Sequence, residues 1–239
     1  MKSLALFALS TIAAAAMAAQ PTSPASISIS GTSKQMASIS GTVVANTSHE
    51  NNDALQNVAS NSGKITIKGY SEQSATTVGG SMRNEAVNRD DFANQNVSSN
   101  AGEVTVDTHG RSYQTSALTD TNVDNKAQGG GADALQNLAS NNGKVMISGF
   151  SSQFVGSRNS SVSNLASGSN ALATQNLSSN FGDVTISGYS SQATYLTNAT
   201  VTNQALGANS HAAQNIASND ACNEPRDPCA DGRCQRPHW

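Results

Sequence analysis

The sequence predicts an all-β fold, a β-solenoid built from about five repeats of 39–41 residues. Three observations carry this. First, the pair Gln-Asn stands at 56/57, 95/96, 136/137, 175/176 and 214/215, each followed by an aliphatic residue and then by Ser-Asn. A fixed period of about 20 to 50 residues marks a repeat architecture, in which each unit buries its apolar face against the next. Second, side chains alternate in character within each repeat. Val184, Ile186, Gly188, Ser190 and Gln192 share one face, while Thr185, Ser187, Tyr189 and Ser191 share the other. That period of two is the strand signature. Third, Asn-x-Gly recurs at 61–63, 100–102, 141–143 and 180–182. Asn and Gly tolerate positive φ, so the chain is expected to turn there. The unit reads as strand, turn, strand, with Gln and Asn stacked at equivalent points.

In chain order, residues 1–18 read as a signal peptide. Lys2 is a positive start, Leu4–Ala16 a short apolar run, and Ala16-Met17-Ala18 an export-cleavage pattern. The apolar run is too short to cross a bilayer and no later segment is longer, so no transmembrane segment is expected after removal of the leader. Residues 19–25 are a polar lead-in. The repeat domain covers 26–219 and opens on what reads as a half-repeat, Ile27–Gln35, which matches Val184–Gln192 position by position.

The longer half of each repeat carries Val162-x-Asn164-x-Ala166-x-Gly168, repeated from Val123 and Val201 and, more weakly, from Met82. Each repeat is therefore expected to hold three strand-like pieces. The least regular part is the stretch after each short-half Gln, such as Ala193–Ala199. Val104 to Gln114 is two residues longer than Val184 to Gln192. An even insertion preserves the faces, so Thr108 and Gly110 are expected to point inward with Val104, Val106, Ser112 and Gln114. The period fits either one coil of about 39 residues or two of about 20.

The inward set is small and polar-rich, which suits a narrow solenoid. In-register stacking sets each Gln about 4.8 Å from its equivalent, close enough for side-chain amides to bond as a ladder. The expected ladder and self-assembly residues are Gln35, Gln56, Gln73, Gln95, Gln114, Gln136, Gln153, Gln175, Gln192 and Gln214. Thr174 is expected on the outward face. Tyr70, Phe150 and Tyr189 each follow a repeat glycine on the outward face, with Arg111 at the matching place. They read as a surface-binding stripe or as covers for the neighbouring glycine backbone.

Residues 220–239 break the repeat and hold three of the five prolines and all three cysteines. Proline and dense charge do not continue a strand stack, so this segment reads as a cap, tail or tag. In an exported chain, Cys222, Cys229 and Cys234 point to one disulfide and a spare thiol. A Cys₃His zinc site with His238 is the alternative, although no C-x-x-C is present. No metal or cofactor is expected. Charged residues make up 12% of the chain, with a formal net charge of −3, so no basic stripe implies nucleic acid. No nucleophile–base set or carboxylate pair recurs, and the chain does not read as an enzyme.

The run Val162-x-Asn164-x-Ala166-x-Gly168-Ser-Asn170-Ala-x-Ala173-x-Gln175 resembles the repeats of curlin and Fap-type functional amyloid subunits. Asn164 stands where the curlin pattern has Gln. The resemblance spans roughly 27–219 and implies a secreted bacterial subunit of extracellular fibres. The expectation is therefore a secreted or cell-surface structural protein, a fibre or biofilm-matrix component that self-associates and adheres. The alternative is a monomeric solenoid adhesin that binds glycan or a host surface through its outward face.

Overall fold

The computed structural model describes residues 26–221 apart from 50 and 88. The expected leader, the lead-in and the three cysteines lie outside these residues. Five coils follow one another, each with five strands. Coil 1 holds β1 (Ser26–Ile29), β2 (Thr32–Ser40), β3 (Val43–His49), β4 (Ala54–Val58) and β5 (Asn61–Ser62). Coil 2 holds β6 (Lys64–Ile67), β7 (Tyr70–Val78), β8 (Ser81–Val87), β9 (Ala93–Val97) and β10 (Asn100–Ala101). Coil 3 holds β11 (Val104–Val106), β12 (Arg111–Thr119), β13 (Asn122–Gly129), β14 (Ala134–Leu138) and β15 (Asn141–Asn142). Coil 4 holds β16 (Val145–Ile147), β17 (Phe150–Arg158), β18 (Ser161–Gly168), β19 (Ala173–Leu177) and β20 (Asn180–Phe181). Coil 5 holds β21 (Thr185–Ile186), β22 (Tyr189–Thr197), β23 (Thr200–Leu206), β24 (Ala212–Ile216) and β25 (Asn219–Asp220). No helix occurs among the described residues.

Each strand pairs in parallel with its equivalents in the adjoining coils, giving five five-stranded sheets. Gln56, Gln95, Gln136, Gln175 and Gln214 align directly, as do Gln35, Gln73, Gln114, Gln153 and Gln192. One repeat is thus one coil. Only this choice stacks like on like, because the two halves differ in length and in motif.

The interior is striped. Ile29, Ile65, Ile67, Val104, Val106, Val145 and Ile147 form one apolar column. Met82, Val97, Leu118, Val123, Leu138, Val155, Val162 and Leu177 form a second, fed by three of the sheets. A third column is alanine throughout its buried members, among them Ala86, Ala127 and Ala166. Alanine lets two walls approach closely where a larger side chain would hold them apart. Polar amides lie between these columns.

Several sequence expectations change. The Asn-x-Gly segments are not single turns. Asn180–Phe181 is itself the short strand β20, flanked by left-handed residues at Ser178 (φ 50°) and Gly182 (φ 74°). The unit is five strands per coil rather than strand, turn, strand, because these corners come in pairs. Ile27–Gln35 opens a complete coil, not a half-repeat. Ala193–Thr197 continues β22, with the corner only at Asn198 (φ 48°). The extra two residues in coil 3 form the corner 107–110, where Gly110 N–H donates to Asp107 C=O at 2.7 Å. Thr108 is therefore exposed instead of inward, while β11 and β12 keep their register. Thr174 is only 3% exposed, held between Leu135 and Ala213 in the stack.

The corner after β4, β9, β14, β19 and β24 places Ala59, Ser98, Ala139, Ser178 and Ala217 at positive φ, near 50°. A non-glycine residue there costs about 1–3 kcal/mol and persists only when its surroundings enforce it. The enforcing group is the Ser of each Ser-Asn pair. Ser99 Oγ lies 3.0 Å from both Val97 C=O and Asn137 C=O, which share its single proton, and it accepts from Ser140 N–H at 3.1 Å. Ser60 and Ser140 repeat the arrangement, and Ser179 repeats its two carbonyl contacts. A hydroxyl thus replaces a carbonyl where the turning backbone cannot supply one.

Candidate functional site

The ten glutamines form two columns with different chemistry. In the sheet of β4, β9, β14, β19 and β24 they make a head-to-tail amide ladder. Gln95 Nε2 donates to Gln56 Oε1 at 2.8 Å, Gln136 to Gln95 at 2.9 Å, Gln175 to Gln136 at 2.7 Å and Gln214 to Gln175 at 2.6 Å. The second hydrogen of Nε2 in Gln95, Gln136 and Gln175 goes to a carbonyl of the facing strand, such as Ser163 C=O from Gln136 at 3.1 Å. In the sheet of β2, β7, β12, β17 and β22 the glutamines stack without bonding one another. Gln73, Gln114, Gln153 and Gln192 donate instead to the serine two residues earlier, at 2.6–2.8 Å. Gln35, Gln114 and Gln153 also reach an asparagine Oδ1 at 2.6, 3.1 and 3.2 Å. The Oε1 atoms of Gln35, Gln73, Gln114 and Gln153 are buried without a hydrogen bond.

Three asparagine ladders join the glutamine ladder; the sequence predicts stacked asparagines but singles out only the glutamines as ladder residues. Asn57, Asn96, Asn137, Asn176 and Asn215 link at 2.8–2.9 Å. Asn46, Asn84, Asn125, Asn164 and Asn203 link at 2.8–2.9 Å. Asn61, Asn100, Asn141, Asn180 and Asn219 link at 2.8–3.0 Å. The signal was present, since nearly all these residues belong to recurrent motifs. Their direction was not. The Gln56 and Asn57 ladders donate toward coil 1, and the Asn46 and Asn61 ladders donate toward coil 5.

Charge is unevenly spread along the stack: the strands of coil 2 carry Lys64, Glu72, Arg83 and Glu85, whereas those of coil 4 carry only Arg158 and those of coil 5 only Asp220, in β25. Coil 5 also exposes Ile186, Tyr189, Tyr195, Leu196, Leu206 and Ile216. At the other end, Lys34 is the one Lys, Arg, Asp or Glu within β1–β5.

On the outward face, Tyr70, Phe150 and Tyr189 do line up, and Tyr113 completes the line. Ring centroids are 5.3 Å apart from Tyr70 to Tyr113, 5.2 Å from Tyr113 to Phe150, and 5.0 Å from Phe150 to Tyr189. Arg111 holds the aligned position in coil 3, but Tyr113, two residues on, fills the gap with its ring. Phe150 and Tyr189 stack at 12°, while the Tyr70–Tyr113 and Tyr113–Phe150 pairs are tilted by 37° and 39°. The repeat glycines also answer to close stacking: a Cβ on Gly188 would overlap the carbonyl oxygen of Gly149 in the preceding coil. At the coil 1 end, Lys34 Nζ lies 5.6 Å from the Tyr70 centroid and 3.2 Å from Glu72 Oε2. The Tyr70 hydroxyl donates to the same Oε2 at 2.9 Å. That bond and the Lys34 ammonium hold the Glu72 carboxyl below its ordinary range. Tyr70 is pushed up by desolvation and then by its bond to Glu72. Asp124 is also pushed up by burial, partly opposed by Arg83.

Among the described residues no group of three or more His, Cys, Asp or Glu could hold a metal ion. What the fold defines is a parallel, in-register β-solenoid of five coils, with four amide ladders running its length. Comparison with protein-family models, curated proteins and solved structures finds no match.

Proposed function

We propose that this chain is an exported structural subunit that adds end to end to copies of itself, building a fibre or surface matrix. The observation that carries this is the state of the end coils. Sheet edges usually bear charges, prolines or bulges that stop another chain from pairing. The strands of coil 5 carry one charge, Asp220 of β25, and leave apolar side chains open, and those of coil 1 carry only Lys34. The amide ladders support the same reading, because each has a terminal amide at either end and gains one bond per added coil. The resemblance to curlin-type repeats and the leader-like residues 1–18 support export.

The alternative, a monomeric adhesin for glycan, draws on the aromatic column. Within that column each ring already lies 5.0–5.3 Å from a neighbouring ring, which leaves less open face for a sugar to stack on. The fibre reading is therefore preferred. Purified protein lacking residues 1–18 is expected to raise thioflavin fluorescence and give fibre reflections near about 4.8 and 10 Å. A chain that stays monomeric for days at high concentration overturns the proposal and returns the adhesin.

A further inference from the structure

We infer that Lys34 of one copy seats on the open ring face of Tyr189 of the next, making the aromatic column continuous from molecule to molecule. This rests on the end-to-end reading above and adds its direction and its contact.

The precedent lies inside the chain. Lys34, Glu72 and Tyr113 occupy the same register position in coils 1, 2 and 3. From that position Tyr113 places its ring between Tyr70 and Phe150, which belong to the coils on either side. From the same position Lys34 already reaches over Tyr70. Its other side faces out of the stack. At the far end the column stops at Tyr189, which stacks on Phe150 with an interplanar angle of 12° and is 57% exposed. If coil 1 of a second copy continues the register of coil 5, Thr32 meets Tyr189 and Lys34 meets Ser191. Lys34 then lies between Tyr189 of one molecule and Tyr70 of its own, as Tyr113 lies between two rings. An aromatic face carries negative potential, so a cation completes the sandwich.

Charge and direction agree. Coil 5 presents the column with no cation of its own on β22, and coil 1 presents a cation with no ring. Two coil 5 edges would bring ring to ring without a cation, and two coil 1 edges would bring ammonium to ammonium. The ladders select the same pairing: the Gln56 and Asn57 ladders end as acceptors on coil 5 and as donors on coil 1. The junction is heterologous, so it propagates without closing.

The test is seeded growth of the full chain without residues 1–18, read as the concentration of monomer left at equilibrium. Lys34→Met and Tyr189→Ser are each expected to raise it about tenfold, equivalent to about 1.4 kcal/mol per junction. Lys34→Arg and Tyr189→Phe, which keep the cation and the face, are expected to stay near the wild type. The double variant Lys34→Met/Tyr189→Ser is expected to be little worse than either single one, since both remove one contact. Monomer melting measured below the assembly threshold separates loss of folding from loss of the junction. If the wild type grows and the two effects multiply, or neither appears, this contact is wrong while the fibre reading stands. If the wild type never grows, the fibre reading itself falls. Growth that begins only after removal of residues 222–239 would mean that the chain's own tail covers coil 5, which overturns the junction for the intact protein.

Discussion

The two glutamine columns have the same residue, the same in-register stacking and similar burial, yet only one is a ladder. In the first, each amide lies between two others, and every donor and acceptor of Gln95, Gln136 and Gln175 is engaged. In the second, a serine two residues back on the same face takes the amide hydrogen before a neighbouring glutamine can. The closest partner wins. What remains is a row of buried Oε1 atoms with no hydrogen bond. A stacked glutamine therefore becomes a ladder only where no local hydroxyl competes for it.

Placing the same charge in each column should separate them most. Gln136→Glu removes the donor that Gln95 Oε1 and Ser163 C=O rely on and sets a carboxylate against acceptor oxygens. A buried, uncompensated charge costs about 3–5 kcal/mol. Gln153→Glu should cost visibly less, because the Ser151 hydroxyl can turn to donate to it. Urea unfolding of the monomer measures both, and equal losses would show that the columns do not differ as described.

Removing the amide without adding charge is the next comparison. Gln136→Met strands Gln95 Oε1 and one hydrogen of Gln175 Nε2, for a loss of about 2–3 kcal/mol. Gln153→Met strands little, since Asn141 still donates to Asn180 Oδ1 and Ser151 Oγ at 2.8 and 3.3 Å. It also removes an unpaired buried oxygen, so its midpoint should stay within about 1 kcal/mol of the wild type.

The serines sharpen the contrast further. Ser151→Ala takes away a hydroxyl that accepts amide hydrogens already shared with Asn180, and should cost about 1 kcal/mol. Ser140→Ala leaves Ser179 N–H without its acceptor at a left-handed corner, and should cost more, about 1–3 kcal/mol. Hydrogen exchange at Ser179 should rise in Ser140→Ala and remain slow in Ser151→Ala.

The smallest effect expected is that of acid. Neither column titrates, so shifted carboxylates set the pH dependence. Glu72 has a lowered folded pKa, so its stabilisation is present above its unfolded pKa and lost as pH falls through the folded value. Asp124 has a raised one, so the native state binds its proton more tightly and gains stability as pH falls through that value. The two oppose each other. Between about pH 3 and 6, unfolding midpoints should fall less on acidification in Lys34→Met, where Glu72 has lost a partner, than in the wild type.

Period, parity and residue size determined the coil from the sequence alone. The recurrence of Gln-Asn and Ser-Asn gave five coils, and alternation gave the inward faces of Val184–Gln192 and its equivalents. These are local or exactly repeated properties, and in-register stacking preserves them. Tertiary structure decided which inward groups meet across the coil. Whether Gln153 bonds to Gln114 or to Ser151, whether Thr108 points inward or bulges at a corner, and whether Tyr113 joins the aromatic column all depend on where the backbone bends. Some of those bends lie at non-glycine residues such as Ser98 and Ala139, at positive φ beside hydroxyls from the Ser-Asn pairs. No turn residue marks such a corner in the sequence, because the force that holds it comes from the coil alongside.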